Sequence, residues 1–456
     1  MASESNKAHR FYWFSMAAFL PTGIISALTI YYMKWATDVL LIAPILISAI
    51  LTIGTIWDGL TDPIVAAYTD RRRTAGGRRK PILRIGLILF AVSAFFIWLP
   101  PASLSGMALF IWLLISFMIY RLGATFVNVP LMALGLEIFR QSNRRLLARV
   151  SQAVPVLLSS LIALLGLGFI VTNDTPREVL FWVLMGPAVV IFALGLFAVR
   201  LVPEPSSEHR PRETSIWRML SDVIGNPYHR SILIVQILHV LAYVSLSFNT
   251  PFMVDAILGD EAMLALIFGA FYLAIGLGMP TLAWLSARIG MVSLWKVGVR
   301  LWIFAFGLAC TLPFLPVSVA LILFFVIAVM GGLAEASGLV IYPIMGDLVD
   351  YDADRSGHRR EGLYVTVFGL VGKVAAALVS LVLGIALQTS GYVPNAEQQA
   401  REVIYALAFC GAFIPMVLSI FALWWLGRWK FYQVQPEYDQ YARHDSGSMA
   451  GFEGAQ

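Results

Sequence analysis

Long apolar stretches separated by short polar segments run along most of this chain. Crossing the ~30 Å hydrocarbon core of a bilayer takes about 20 apolar residues, at about 1.5 Å of helical rise per residue. On that template the pattern predicts twelve membrane-spanning helices, which we number in chain order: 11–36, 42–69, 82–100, 106–138, 150–172, 178–202, 228–253, 261–287, 291–314, 317–347, 362–388 and 403–427.

A polar, proline-containing segment separates the first six predicted helices from the last six. We predict an N-terminal six-helix half at 1–203, a central cytoplasmic linker at 204–227, a C-terminal six-helix half at 228–428 and a flexible cytoplasmic tail at 429–456. Two pseudo-symmetric six-helix halves joined by a cytoplasmic loop are typical of the major facilitator fold, in which the halves rock around a midplane site. The predicted fold class is therefore an all-α membrane protein with that architecture.

The composition agrees with a multi-pass membrane protein and excludes a soluble enzyme. Hydrophobic residues make up 59% of the chain and charged residues 13%, and the mean hydropathy is +0.79. Cys310 and Cys410 lie inside predicted helices, so we expect neither a disulfide framework nor a metal-ligand cluster. No cofactor is predicted.

Basic residues concentrate in alternate loops. They follow predicted helices 2, 4 and 10, whereas the loops at 100–106, 255–263 and 313–317 contain no lysine or arginine. The positive-inside rule then predicts a cell-membrane protein with both termini in the cytoplasm. This asymmetry accounts for the net charge of +5, and nucleic-acid binding is not expected.

Two acids interrupt the second predicted helix. Asp58 and Asp62 are spaced i and i+4, so they lie on one helix face. A charge at the centre of a spanning helix costs about 2.5 to 3.5 kcal/mol. The pair therefore indicates a binding site for a cation or a proton, and carboxylate and hydroxyl oxygens suit a hard cation such as sodium.

Five segments together resemble the glycoside–pentoside–hexuronide:cation symporter family, the melibiose permease-like branch of the major facilitator superfamily. The resemblance covers nearly the whole chain at matching spacing. The segments are Trp57-Asp58-x-x-Thr61-Asp62-Pro63, Gly77-Arg78-Arg79-Lys80-Pro81, Thr125-x-x-Asn128-Val129-Pro130-x-x-Ala133-Leu134, Gly346-Asp347-Leu348-Val349-Asp350-Tyr351 and Arg359-Arg360-Glu361-Gly362.

The resemblance implies a cation site. Asp58, Asp62 and Thr125 match cation-binding positions of the family, and Thr61 stands where an asparagine usually contributes. Lys373 matches a buried lysine beside that site and is the expected counter-ion. Counted from the helix ends at about 1.5 Å per residue, Asp58, Thr125 and Lys373 each lie ~18 Å deep and Asp62 ~12 Å, which permits contact.

The substrate-binding positions of the family are less well matched. Its sugar-binding acids align with Thr22 and Asn128, and two tryptophans align with Met132 and Gly338. We take Thr22, Asn128, Met132 and Lys373 as candidate substrate contacts.

Two further charges lie deep in predicted helices. Arg121 is four residues before Thr125, and Glu335 is about 12 residues, or ~18 Å, from Asp347. Each is either a substrate ligand or one partner of a structural ion pair. If Arg121 faces the cavity, it favours an anionic substrate such as a hexuronide, because a guanidinium binds a carboxylate bidentately.

Charges near the cytoplasmic helix ends are candidates for a latch between the halves. Ordinary topogenic charge explains them equally well. The candidates are Asp70, Arg71, Asp347, Asp350, Arg359 and Glu361.

We therefore predict a secondary transporter, not an enzyme, that couples uptake of a sugar, glycoside or hexuronide to Na+ or H+ by alternating access. Its partners are a small-molecule substrate and the lipid bilayer, and it is expected to work as a monomer. The first alternative is a carrier of lysolipids, other amphiphiles or organic anions. The second is a membrane sensor that does not transport.

Overall fold

The computed structural model describes residues 40, 42, 44–71, 79–138, 144–151, 216–259, 262–357, 360–392 and 398–438, with some single positions between 153 and 200. All regular secondary structure within these ranges is helical. The helices, labelled in chain order, are α1 Pro44–Arg71, α2 Lys80–Trp98, α3 Gly106–Ile138, α4 Ile216–Gly225, α5 Pro227–Leu258, α6 Ala262–Ile289, α7 Met291–Ala309, α8 Val317–Ala336, α9 Ile341–Ser356, α10 Glu361–Ser390, α11 Arg401–Ala408, α12 Ile414–Arg428 and α13 Phe431–Val434.

Short non-α segments connect some of these helices without ending the helical path. The 3-10 turn Ser337–Val340 joins α8 to α9, and the π-helical turn Phe409–Phe413 joins α11 to α12. The tenth predicted span therefore continues past residue 347 to Ser356. Residues 144–151 are also helical.

The described helices follow nine of the predicted spans. Seven segments of the described chain are long and apolar enough to cross a membrane. α1 and α10, at 28 and 30 residues, also reach spanning length. The first predicted span lies outside the described residues, as do most of the fifth and sixth and much of the linker. The described part of the chain is thus all-helical and has the helix lengths and apolar composition of a multi-pass membrane protein.

The end of the predicted linker and the start of the predicted tail have structure of their own. Helix α4 occupies 216–225, and within 429–438 lie α13 and the 3-10 turn Pro436–Tyr438. The Phe431 ring is fully buried, with its centroid 5.0 Å from that of Tyr228 and 5.6 Å from that of Tyr351. Aromatic burial therefore holds this segment against α5 and α9. Residues 439–456 lie outside the described part.

Glycines allow close approach of neighbouring helices. A Cβ atom added at Gly123 of α3 would lie 2.6 Å from the Phe90 nitrogen of α2. One added at Gly298 of α7 would lie 2.7 Å from the Ser337 Cβ and 3.0 Å from the Ala334 carbonyl oxygen. Small residues at helix crossings are typical of membrane bundles, where close packing replaces the hydrophobic effect as the driving force.

We predict that Gly298→Ala destabilises the protein by about 1 to 3 kcal/mol, the usual range for overpacking. Rotation of the Ser337 side chain cannot relieve the clash, because the added methyl group meets the Ser337 Cβ itself. The apparent melting temperature in detergent measures the effect. Gly307→Ala, on the same helix, is the control, because its Cβ meets only the Met416 sulfur at 3.8 Å. Equal melting temperatures for the two variants would contradict the proposed crossing.

Candidate functional site

Asp58 and Asp62 of α1 lie in a buried polar cluster with α3. The side chains of both acids and of Thr125 are buried. The Thr125 hydroxyl donates to Asp62 Oδ1 at 2.7 Å and lies 3.5 Å from Asp58 Oδ1. One hydroxyl therefore connects both carboxylates, as the shared helix face at i and i+4 allows.

Lys373 of α10 completes the contact from a distant part of the sequence. Its Nζ lies 2.5 Å from Asp62 Oδ2 and 3.1 Å from Asp58 Oδ2. The ammonium thus neutralises part of the charge of two carboxylates that would otherwise repel each other in a low dielectric. Removing it would leave uncompensated charge inside the bundle.

Arg121 adds a second positive charge. Its guanidinium forms an ion pair with the Asp58 carboxylate. We call Asp58, Asp62, Arg121 and Lys373 the charge cluster. Its formal charge is zero with both acids ionised and both bases protonated. The carboxylate side chains are 7% and 10% exposed, whereas those of Arg121 and Lys373 are 27% and 23% exposed.

The local chain offers further oxygen atoms near the acids. The Thr61 hydroxyl is buried and lies 3.5 Å from the Asp58 carbonyl oxygen of its own helix. Pro63 has no N–H, so α1 lacks the backbone hydrogen bond that residue 63 would otherwise donate to the Gly59 carbonyl. Carboxylate, hydroxyl and carbonyl oxygens together are the ligand set that a hard cation prefers.

A second ion-pair network lies midway along α9. Arg145 is fully buried, and its two terminal nitrogens lie 2.9 Å from Asp347 Oδ1 and 2.5 Å from Asp350 Oδ2. We call these three residues the latch. Arg145 and Asp347 are 202 residues apart in sequence. A Cβ at Gly346 would lie 2.6 Å from the Arg145 guanidinium, so the glycine makes room for the arginine.

Two tyrosine hydroxyls donate hydrogen bonds that join different helices. Tyr432, in α13, donates to Asp347 Oδ2 at 2.6 Å. Tyr342 of α9 donates to the backbone carbonyl of Met132 of α3 at 2.5 Å. Met132 therefore contributes a backbone acceptor to the contact between α3 and α9, whereas the sequence suggested its side chain as a substrate contact.

Glu335 pairs with a histidine. Its Oε2 lies 3.1 Å from His239 Nε2, and the two side chains are 30% and 15% exposed. This pair connects α8 with α5. Asn128 lies partly buried on α3, three residues after Thr125.

The remaining predicted site residues lie at helix ends or outside the described part. Glu361 is fully buried in the first turn of α10. The backbones of Asp70 and Arg71 end α1, but their side chains are outside the described part, as are Thr22 and Arg359. Their predicted roles stay predictions.

Sequence reasoning missed the partners that complete both networks. Arg145 is one of four arginines at 140–149, after predicted helix 4, where topogenic charge is expected, and nothing in the sequence distinguishes it from the other three. Gly346 beside Asp347 was the available signal for a close partner. The sequence did not decide whether Arg121 pairs with an acid, because residue spacing within a helix does not show how α3 is oriented relative to α1.

The chain is similar to known membrane transporters. The sequence profile described as MFS/sugar transport protein matches residues 13–432. An uncharacterized symporter, YjmB, of Bacillus subtilis is 27% identical over 87% of both chains. A sodium-dependent lysophosphatidylcholine symporter 1 of Xenopus tropicalis is 23% identical over 87% of this chain and 82% of its own. A bacterial homologue of the iron transporter ferroportin, solved in an outward-facing state, shares the fold with a TM-score of 0.70. It is 13% identical, and the match covers 93% of this chain and 99% of that one.

The latch yields a stability prediction. Arg145→Gln removes the arginine that pairs with both acids, and breaking a buried pair costs about 3 to 5 kcal/mol. The triple variant Arg145→Gln/Asp347→Asn/Asp350→Asn removes the charges together and should recover much of the lost melting temperature. A triple variant less stable than Arg145→Gln alone would show that the three charges do not act as one unit.

Proposed function

We propose that this chain, which belongs to the MFS/sugar transport protein family, is a cation-coupled symporter whose coupling site is Asp58, Asp62, Thr125 and Lys373. Membership makes it a membrane transporter and not an enzyme. The observation that supports the coupling role is the convergence of two carboxylates, a hydroxyl and an ammonium from α1, α3 and α10 within hydrogen-bonding distance.

The position of Lys373 suggests how an ion alters the protein. A sodium ion or proton at the carboxylates competes with the ammonium for the same oxygens. Binding of the ion therefore loosens the tie between α10 and α1 and changes the side chains available to a substrate. Reciprocal linkage then requires the substrate to change ion affinity by the same factor. That coupling is what a symporter needs.

The two networks are assigned different parts in an alternating-access cycle. In our proposal, residues 1–203 and 228–428 form the two moving halves and 204–227 links them. The latch holds their cytoplasmic ends together in the outward-facing state, with both termini in the cytoplasm. Opening toward the cytoplasm then requires Arg145 to leave both acids of α9.

The family supports a sugar, glycoside or hexuronide as substrate, and one observation supports the alternative of an amphiphile. A pocket lies among α5, α6, α7 and α8. The hydroxyls of Ser247 and Thr250 in its wall donate to their own helix, at 2.9 and 2.8 Å. Apart from Trp302, whose buried indole N–H has no acceptor among the described residues, the remaining lining side chains are apolar, which suits an acyl chain.

A thermal-shift screen separates the two substrate classes. The panel contains glycosides, uronides, organic acids and lysolipids, each tested with sodium, with lithium and at low pH. Stabilisation by a sugar compound supports the first proposal, and stabilisation by lysolipids alone supports the second. Absence of exchange in proteoliposomes for every panel compound would favour a sensor that does not transport.

We predict that Asp62→Asn abolishes uphill accumulation of the compound that the wild type transports. The accumulation ratio in proteoliposomes should fall to about one, because the variant cannot use the ion gradient, while substrate counterflow persists. Full uphill uptake by this variant would contradict the assignment of Asp62 to the coupling site.

Glu402→Gln provides the matched control. Glu402 is an exposed acid in the first turn of α11. Its neutralisation should change accumulation by less than about twofold, since exposed charges contribute little.

A further inference from the structure

Arg121 gives the charge cluster a second internal cation. Asp58 accepts contacts from both Arg121 and Lys373, whereas Asp62 contacts Lys373. We propose that Arg121 is a shared counter-ion, which binds Asp58 in the empty transporter and the carboxylate of an anionic substrate in the loaded one. The proposal rests on the cation-coupling role of the cluster and names the substrate class that the site takes.

The charge balance of the cluster supports an anionic substrate. Two acids and two bases sum to zero before any ion binds. A single monovalent cation added to this cluster leaves a surplus of one positive charge, and uncompensated charge inside a membrane protein is unfavourable. A substrate with one negative charge restores neutrality. Cation and anion are therefore expected to bind as a pair.

The two bases also bear on cation affinity. Both repel a cation that approaches the acids, so the cluster without substrate binds the coupling cation weakly. A substrate carboxylate that takes over Arg121 weakens this repulsion, and an uncharged sugar does not.

The guanidinium retains capacity for a second acid. One terminal nitrogen of Arg121 contacts Asp58, and the buried Nε–H has no acceptor among the described residues. The guanidinium carbon lies 6.0 Å from the centroid of the Phe117 ring in the same helix. A guanidinium presents five donors in a planar fork that fits a carboxylate bidentately. A substrate carboxylate can thus engage donors that Asp58 leaves unused.

Transfer of Arg121 to the substrate frees Asp58 for the cation. The exchange involves only ionic and hydrogen-bond contacts. Because each ligand removes an obstacle to the other, the substrate raises cation affinity and the cation raises substrate affinity by one factor. A static Arg121–Asp58 strut predicts no such dependence on substrate charge.

The test measures cation affinity of the purified full-length protein with matched anionic and neutral probes. Sodium titration at pH 8 and proton titration in choline buffer are followed by thermal shift. The probe pairs are glucuronate with glucose, galacturonate with galactose, and 4-nitrophenyl β-glucuronide with 4-nitrophenyl β-glucoside. At least one anionic probe should tighten sodium or proton binding tenfold or more, and its neutral partner less than twofold.

Two variants separate exchange from a structural role. Arg121→Gln removes the competing cation, so it should bind the coupling ion at least tenfold more tightly without substrate and lose the effect of the anionic probe. Arg121→Lys keeps the positive charge but lacks the planar guanidinium that binds a carboxylate bidentately. Its affinity for the coupling ion should stay within about threefold of the wild type, while the effect of the anionic probe on that affinity weakens.

Three results would contradict the transfer of Arg121 from Asp58 to the substrate. They are no effect of any anionic probe on the cation affinity of the wild type, an unchanged effect in Arg121→Gln, or equal effects of the anionic and neutral members of a pair. Failure of the coupling site itself looks different. In that case neither sodium nor protons stabilise the wild type, or both stabilise Asp62→Asn equally well.

Discussion

The need to compensate two carboxylates inside α1 determines the arrangement of the helices around them. Each charge in the bilayer interior costs about 2.5 to 3.5 kcal/mol if it stays unpaired. Thr125 and Arg121 of α3 and Lys373 of α10 meet that need. Three helices from distant parts of the chain are thereby joined at one place, and any ligand that changes the charge there changes how those helices are held.

The latch provides a second connection between sequence-distant parts of the chain. Arg145 lies fully buried against Asp347 and Asp350, and Tyr432 adds a hydrogen bond to Asp347. Such buried pairs often add little stability over apolar packing but are costly to break singly. That property suits a contact that forms or breaks as a unit. In our proposal the charge cluster senses the ligands, and the latch fixes which side is closed.

The sequence predicted those parts of the site that depend on spacing within one helix, and it missed those that depend on how helices face each other. The i, i+4 spacing placed Asp58 and Asp62 together, and the family resemblance added Thr125 and Lys373, which the structure brings into contact with them. The positions of nine spans followed from apolar length, although the tenth continues past its predicted end to Ser356. Arg145 carried no local signal, because loop arginines also set topology. The pairing of Arg121 depends on the rotation of α3, which a uniformly apolar helix does not encode.

The central claim is that the coupling cation binds at Asp58 and Asp62, and infrared difference spectroscopy tests it most directly. The spectrum of the membrane-reconstituted protein is recorded on exchange of choline for sodium and, separately, on lowering the pH. We predict carboxylate bands in one of the two exchanges for the wild type and their loss in Asp58→Asn/Asp62→Asn. Carboxylate bands that persist unchanged in the double variant, or a wild type that shows none in either exchange, would contradict the account.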